Sequence, residues 1–171
     1  MTDEIDDELW DDDEDTQKDK YLTFHIAAED YGLDIACITE IIGIQKITVV
    51  PNMPSFIKGV INLRGKVVPI MDIRCRFEIE EREYDERTCI IVADIKGTAV
   101  GLIVDQVNEV IDIPEERIEP PPESGGRSYS RYISGIGKVG EKVKILLDIN
   151  TLLFDEEIEQ LDDNDSKVSA P

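Results

Sequence analysis

The chain has 171 residues with 39 acidic side chains against 18 basic ones, a formal net charge of −21. Ten of the acids fall in residues 1–15 with no base, and seven more in residues 155–171 beside Lys167 alone, which leaves a body of 22 acids and 17 bases. That body is too balanced for a halophilic surface and lacks the clustered Lys and Arg that phosphate binding needs, which disfavours nucleic acid as a partner; a nucleic-acid-binding small barrel would need a basic face. The length suits one domain, or two small halves on a common core.

The acidic ends read as disordered, solubilising tails whose self-repulsion no core offsets. A short acidic docking helix through Ile5, Leu9 and Trp10 is the alternative for the first of them. The run Asp11–Asp15 lacks the spaced oxygen ligands and turn glycine of a calcium loop. No apolar run reaches the ~18 residues of a membrane helix, and the N-terminus is acidic where a signal peptide is basic, so the expected location is cytoplasmic with no direct membrane insertion. Cys37, Cys75 and Cys89 are odd in number and form no C-x-x-C pair, which argues against a disulfide framework or a zinc site.

Order is expected from about residue 19. In YLTFHIA, Leu22, Phe24 and Ile26 alternate with Tyr21, Thr23 and His25, the period of a half-buried strand with its histidine on the polar face. YGLDI completes a hairpin. In ACITEII, Ile38, Ile41 and Ile42 stand at i, i+3 and i+4, which predicts a short helix ended by Gly43, with Glu40 off the apolar stripe. ITVV reads as a strand running into the turn PNMP. KGVINLRGKVVPIMDI (58–73) is a hairpin with Arg64 at its corner. EIEEREYDER (78–87) reads as an exposed connection. Two further strands flank Lys96 and Gly97, the second continuing by alternation through Val104, Val107 and Val110. PEERIEPPPESGGRS is a spacer, and YISGIGKVGEKVKILLDI leads into a helix NTLLFDEEIEQL with Asn150 as N-cap. Short, closely spaced strands with few helices argue for small barrels.

An internal repeat supports that architecture. GVINLRGKVVPIMDI (59–73) aligns without gaps over GIGKVGEKVKILLDI (135–149): Gly59 matches Gly135, Lys66 matches Lys142, Val67 matches Val143, and Asp-Ile matches Asp-Ile. Two copies of one hairpin imply two similar half-structures. Both corners keep a glycine, but only the first carries Arg64, so the turn itself does not require the arginine. Asp72 and Asp148 end matching strands, which favours a turn or capping role over acid catalysis. The single histidine lies on a strand face, and there is no nucleophile elbow, P-loop or dinucleotide fingerprint. No enzyme and no cofactor is expected.

With YGLDIACITEII, PNMPSFIKGVINLRGKVVPIMDI and YISGIGKVGEKVKILLDINTLL in view, the chain resembles the CheW family of chemotaxis coupling proteins over about residues 20–155. The resemblance implies a mainly β fold of two SH3-like β-barrel halves sharing a core, with a few short helices. The acidic tails at 1–18 and 156–171 come from the charge distribution, the N-terminal one departing from the usual family pattern; between them the resemblance implies a CheW-like domain at 19–155, whose halves run approximately 19–86 and 87–150. It also implies a non-catalytic adaptor that joins the tips of methyl-accepting chemoreceptors to the histidine kinase CheA, clustered at the membrane through receptor arrays. The alternative is an adaptor of the same kind in a non-chemotaxis receptor–kinase pathway. Carried over by motif position, Glu40 and Arg64 correspond to a charged pair near the receptor and kinase surfaces, and Ile38 and Gly59 to further contact positions. Physically, an exposed pair of this kind adds little stability but orients a partner and rejects wrong ones.

Overall fold

The computed structural model describes residues 18–121 and 131–153. Eleven strands form two sheets among these residues. In chain order they are β1 (Lys20–Ile26), β2 (Glu29–Asp34), β3 (Ile38–Gly43), β4 (Ile57–Leu63), β5 (Lys66–Asp72), β6 (Cys89–Ile95), β7 (Thr98–Val104), β8 (Gln106–Asp112), β9 (Ile118–Glu119), β10 (Ile133–Val139) and β11 (Lys142–Leu147). A single turn of helix, α1 (Ile73–Arg76), follows β5. One sheet has the order β8-β1-β2-β11-β10-β9 and the other β3-β6-β7-β5-β4. The mainly β, two-lobed architecture expected from the repeat is present.

The two repeated hairpins are equivalent in register. Gly59 pairs with Ile70 and Gly135 with Leu146, and each first strand carries a bulge just before its glycine. The second strand of each hairpin then pairs in parallel with a glycine-bearing strand: Ile70 with Gly101, and Leu146 with Gly32. A Cβ on Gly101 would lie 2.5 Å from Ile70, and one on Gly32 2.9 Å from Leu146, so both crossings need close backbone approach. Asp72 and Asp148 accept hydrogen bonds from the backbone N–H of Arg74 and Asn150, at 2.9 and 3.0 Å, and so act as caps as expected.

The equivalence extends through the whole body. β1–β2 corresponds to β6–β7, and β3, which pairs with β6, corresponds to β8, which pairs with β1. The chain therefore reads as two successive repeats that exchange a hairpin: β6–β7 complete the sheet of β3–β5, and β1–β2 complete the sheet of β8–β11. Residues 19–86 hold β1–β5 and residues 87–150 hold β6–β11, so each sheet draws strands from both stretches. Between the sheets lies the main core, including Leu22, Phe24, Ile91, Leu102 and Leu147, with Phe24, Tyr31, Phe77 and Tyr132 in a run of ring contacts. A smaller core of Ile61, Val68, Ile70, Ile90, Val92 and Ile103 fills the lobe built on β3–β7.

Several local expectations are corrected. Residues 38–42 are strand, not helix. Isoleucine is β-branched and fits a pleated surface better than a helix, and a bulge between Ile38 and Glu40 produces the three-residue apolar spacing that mimics a helical period. ITVV forms only an isolated bridge, Thr48 to Val60. The run through Val104 to Val110 is two strands, broken at Asp105, where the chain passes from one sheet to the other. Thr23 is buried rather than on a polar outer face. After β11 a short 3-10 turn, Ile149–Thr151, is capped by Asp148 and not by Asn150, and the rest of the expected helix lies outside the described residues, as do both acidic tails.

Candidate functional site

The corner between β4 and β5 answers why a hairpin should carry a guanidinium. Arg64 and Gly65 both have positive φ, +52° and +85°, the pair of conformations that a two-residue hairpin turn uses. At the matching place in the second hairpin stands Gly140, with φ +62°. Where one repeat places the residue for which left-handed backbone is cheapest, the other keeps an arginine at a steric cost. Lys96–Gly97 closes its hairpin the same way, so a non-glycine residue is tolerated there, but nothing in the turn calls for arginine. The Asn62 side chain accepts a hydrogen bond from the Gly65 N–H at 2.8 Å and fixes the corner.

Arg64 donates from Nη2 to Oε2 of Glu40 on β3, and this hydrogen bond is the leading reason that its pKa lies above the ordinary value. The Arg64 side chain is 70% exposed and that of Glu40 23%, so the pair stands at the rim with its arginine mostly in solvent. Opposite residues on neighbouring strands share a face. Glu40 and Ile42 lie opposite Val92 and Ile90 of the smaller core, while Ile38 and Ile41 lie opposite Ala93 and Ile91 of the main core. The bulge thus separates Ile38 from Glu40: Ile38 packs against the inter-sheet core, and Ile41 on the same face is 43% exposed. Gly59 is buried, and a Cβ on it would lie 2.1 Å from the carbonyl oxygen of Thr48. Of the four expected site residues, then, the structure joins Glu40 to Arg64 and sets Ile38 and Gly59 apart from that pair.

Two clefts lie between the sheets at equivalent positions. One, of about 620 Å³, is lined by His25, Ala27, Ala28, Asp105 and Gln106 together with Arg82, Asp85, Glu86 and Arg87. The other, of about 560 Å³, is lined by Asp94, Lys96, Gly97, Ala36 and Cys37, which are the register counterparts of those first five residues, and by Tyr21, Asp34, Leu147 and Asn150.

The first cleft is braced. Arg74 on α1 reaches Asp105 with two hydrogen bonds, Nε to Oδ1 at 2.8 Å and Nη2 to Oδ2 at 2.6 Å, and donates from Nη1 to the Glu80 carbonyl at 2.7 Å. Asp105 also accepts from the Ala27 N–H at 2.8 Å. Burial pushes the Asp105 carboxyl up, but the Arg74 hydrogen bond, the Ala27 N–H and the charges of Arg74 and Arg82 outweigh it and hold its pKa below the usual range. The charged connection 78–87 is tied across this side: Tyr84 donates to Asp72 at 2.8 Å, Lys58 pairs with Glu81, and Arg82 pairs with Asp85 at 2.7 Å. Burial and then the Asp72 carboxylate raise the Tyr84 pKa, keeping the phenol protonated as the donor. Nearby, Asp30 stands between His25 Nδ1 at 2.5 Å and Lys144 Nζ at 2.6 Å.

The second cleft has no such brace. Arg74 corresponds to Asn150 and Asp105 to Ala36, so the ion pair is absent. Burial, followed by the charges of Asp34 and Asp94, pushes the Cys37 thiol up to about 11, so it is neither a nucleophile nor a thiolate ligand at neutral pH. Among the described residues, Asp72, Cys75 and Glu81 come close enough together to suggest a metal, but Asp72 is occupied by Tyr84 and the Arg74 N–H, and Cys75 donates to Glu81 at 3.2 Å.

A two-lobed β scaffold with an exposed charged rim and an open cleft defines a class of protein that binds other proteins. The comparisons make it specific: the CheW-like domain family model matches residues 20–157, and the chain belongs to that family. It is 41% identical over 143 residues to the chemotaxis protein CheW of Klebsiella aerogenes, covering 84% of this chain and 86% of that one. It is 34% identical over 135 residues to the chemotaxis protein CheW of Bacillus subtilis, covering 79% and 86%. The crystal structure of the scaffolding protein TtCheW from Thermoanaerobacter tengcongensis superposes with a TM-score of 0.75 at 40% identity, covering 81% of this chain and 94% of that one. Like the rest of this family, the chain is a non-catalytic scaffold. No described helix is long and apolar enough to cross a membrane.

Residue-by-residue reading missed the Arg74–Asp105 brace, whose members are 31 positions apart and form no motif.

Proposed function

We propose that the chain is an adaptor of bacterial chemotaxis that couples the cytoplasmic tips of methyl-accepting chemoreceptors to the histidine kinase CheA, acting in the cytoplasm within receptor arrays. The observation that carries this reading, beside family membership, is the Glu40–Arg64 pair: an arginine held in left-handed backbone, which its turn does not require, and left open to solvent. Conformational cost retained at an exposed corner is a mark of use by a partner rather than of stability.

The receptor's helical hairpin docks at the unbraced cleft, with Ile38 behind its wall and Tyr21, Ala36 and Leu147 offering apolar surface. The lining also holds Asp34, Asp94 and Asp148, so the groove is mixed in character. Gly59 contributes by letting the segment around Thr48 cross β4 at close range. The kinase meets exposed barrel ends, a separate surface.

The test is Arg64→Glu in the full chain, measured for receptor-dependent kinase activation and for thermal unfolding. Activation is expected to be lost with the unfolding midpoint nearly unchanged. A folded variant with full activation would refute the role of the corner. Capture of CheA by variants that have lost receptor binding supports separate surfaces, and coincident loss in every variant counts against them.

A further inference from the structure

We propose that the outer half of the β10–β11 hairpin is latched to β2 by the Asp30 carboxylate and opens there on its own, while the matching β4–β5 hairpin stays closed. The opening follows from how the two lobes are filled and holds whatever the chain binds.

The smaller core supplies the contrast. Its residues Ile61, Val68, Ile70, Ile90, Val92 and Ile103 correspond by register to Gly137, Lys144, Leu146, Tyr21, Thr23 and Asp34 of the other lobe. Of these counterparts only Leu146 is still aliphatic. A Cβ on Gly137 would meet Ile113 at 3.0 Å, so Ile113 takes part of the space that Ile61 fills. Thr23 is buried but its hydroxyl donates to the Glu109 carbonyl at 2.7 Å, and Asp34 is exposed. This lobe therefore buries less apolar surface where its barrel closes.

The junction between hairpin and lobe is correspondingly short. β11 joins β2 in parallel through Ile145–Tyr31 and Leu146–Gly32, whereas β5 joins β7 through Ile70–Gly101, Met71–Leu102 and Asp72–Ile103. At the next position toward the corner, the lobe built on β3–β7 has Val68 and Ala99 where the other has Lys144 and Asp30. Asp30 Oδ2 accepts from Lys144 Nζ at 2.6 Å. Its Oδ1 is buried, with His25 Nδ1 beside it at 2.5 Å and no other partner among the described residues. The Lys144 and Asp30 side chains are 13% and 18% exposed, so the cost of desolvating them offsets much of their attraction. The latch sets the register of β11 on β2 and holds it less firmly than an apolar pair. Beyond it the hairpin leaves the core: Lys142 is exposed, Val143 is 51% exposed, and the outer neighbour β9 pairs only with Ile136 and Gly137. Elements with little buried apolar contact open locally, well below the free energy of global unfolding.

The experiment is amide hydrogen exchange followed by NMR on the full chain. In the wild type, amides of residues 30–32 and 144–146 are expected to exchange at least about tenfold faster, relative to intrinsic rates, than their counterparts at 99–101 and 68–70. Asp30→Asn keeps the side-chain shape and strands the Lys144 charge, so it is expected to speed the first set at least about tenfold further and leave the second set as it was. Asp30→Ala with Lys144→Val installs the apolar pair of the other lobe and should bring the two sets to within about threefold. The His25 ring, read by long-range nitrogen correlation, should carry a proton on Nδ1. Equal protection of the two junctions in the wild type overturns the local opening, and that comparison needs no variant to fold. An Asp30→Asn variant that leaves exchange unchanged, or speeds both junctions alike, overturns the latch. A double variant as labile as Asp30→Asn overturns the claim that the polar pair is what weakens the junction. A ring protonated on Nε2 alone overturns the part given to His25.

Discussion

The two inter-sheet clefts share a backbone and differ in what fills them. In the first, Arg74 and Asp105 form a buried, bidentate pair and the 78–87 connection crosses the outside; in the second, the matching residues are Asn150 and Ala36, and the cleft is open. The two hairpin corners differ as well, since the lobe built on β3–β7 carries the charged pair and the other lobe carries Gly140. Residues 19–86 thus supply the arginine of the brace and both members of the rim pair, while the matching arginine positions in the other stretch hold Asn150 and Gly140. Equivalent geometry did not dictate equivalent chemistry.

The sharpest way to break this comparison is to remove the brace. Arg74→Ala strands Asp105 in a site where both side chains are nearly buried, and we expect a loss of about 3–5 kcal/mol in chemical denaturation. Asn150→Ala, its counterpart, should cost far less. Equal losses would mean that the clefts are braced alike.

Next come the matched glycines. Gly59→Ala places a methyl against the Thr48 carbonyl in backbone with φ +148°, and we expect about 3 kcal/mol of destabilisation from strain and clash. At Gly135 the added Cβ meets Ile118 and Glu119 at 2.7 and 3.0 Å without a positive φ, which is overpacking of about 1 kcal/mol.

Acid titration sharpens the contrast further. The Asp105 pKa is lower in the folded protein than in the unfolded chain. Its contribution is therefore complete above the unfolded value of about 3.9 and is lost as pH falls through the folded value. Asp30 behaves the same way: burial raises its pKa, but the hydrogen bond from Lys144 and the charges of His25 and Lys144 prevail and lower it. Stability measured from pH 6 to pH 2 should fall below about pH 4, and Asp105→Asn should flatten that fall. The smallest expected effect is Tyr84→Phe, which removes one hydrogen bond to Asp72 and should cost about 1 kcal/mol while leaving the open cleft unaffected.

How much of this was legible in the sequence follows from what each feature depends on. The hairpin repeat was readable because matched glycines and Asp-Ile ends are local signals, and it led to the two-lobed fold. The Glu40–Arg64 pair came from family motifs, not from geometry, since no sequence pattern reports that a bulged strand and a hairpin corner 24 residues apart will meet. The helix assigned to residues 38–42 failed because a bulge shifts strand phase by one residue, and the spacing that results imitates a helical stripe. The hairpin exchange was invisible because it is a matter of which repeat supplies a strand, and each strand's own pattern is the same either way.

That exchange also governs how the molecule can come into being. Because β1–β2 are synthesised first yet belong with β8–β11, the earliest part of the chain must wait for the latest before its sheet can close, and each lobe is left without two central strands if the chain is cut between the repeats. A fragment ending near residue 86 would expose the unpaired edges of β2 and β5, so the lobes should mature together as one cooperative unit, and severed halves should regain order only on being mixed.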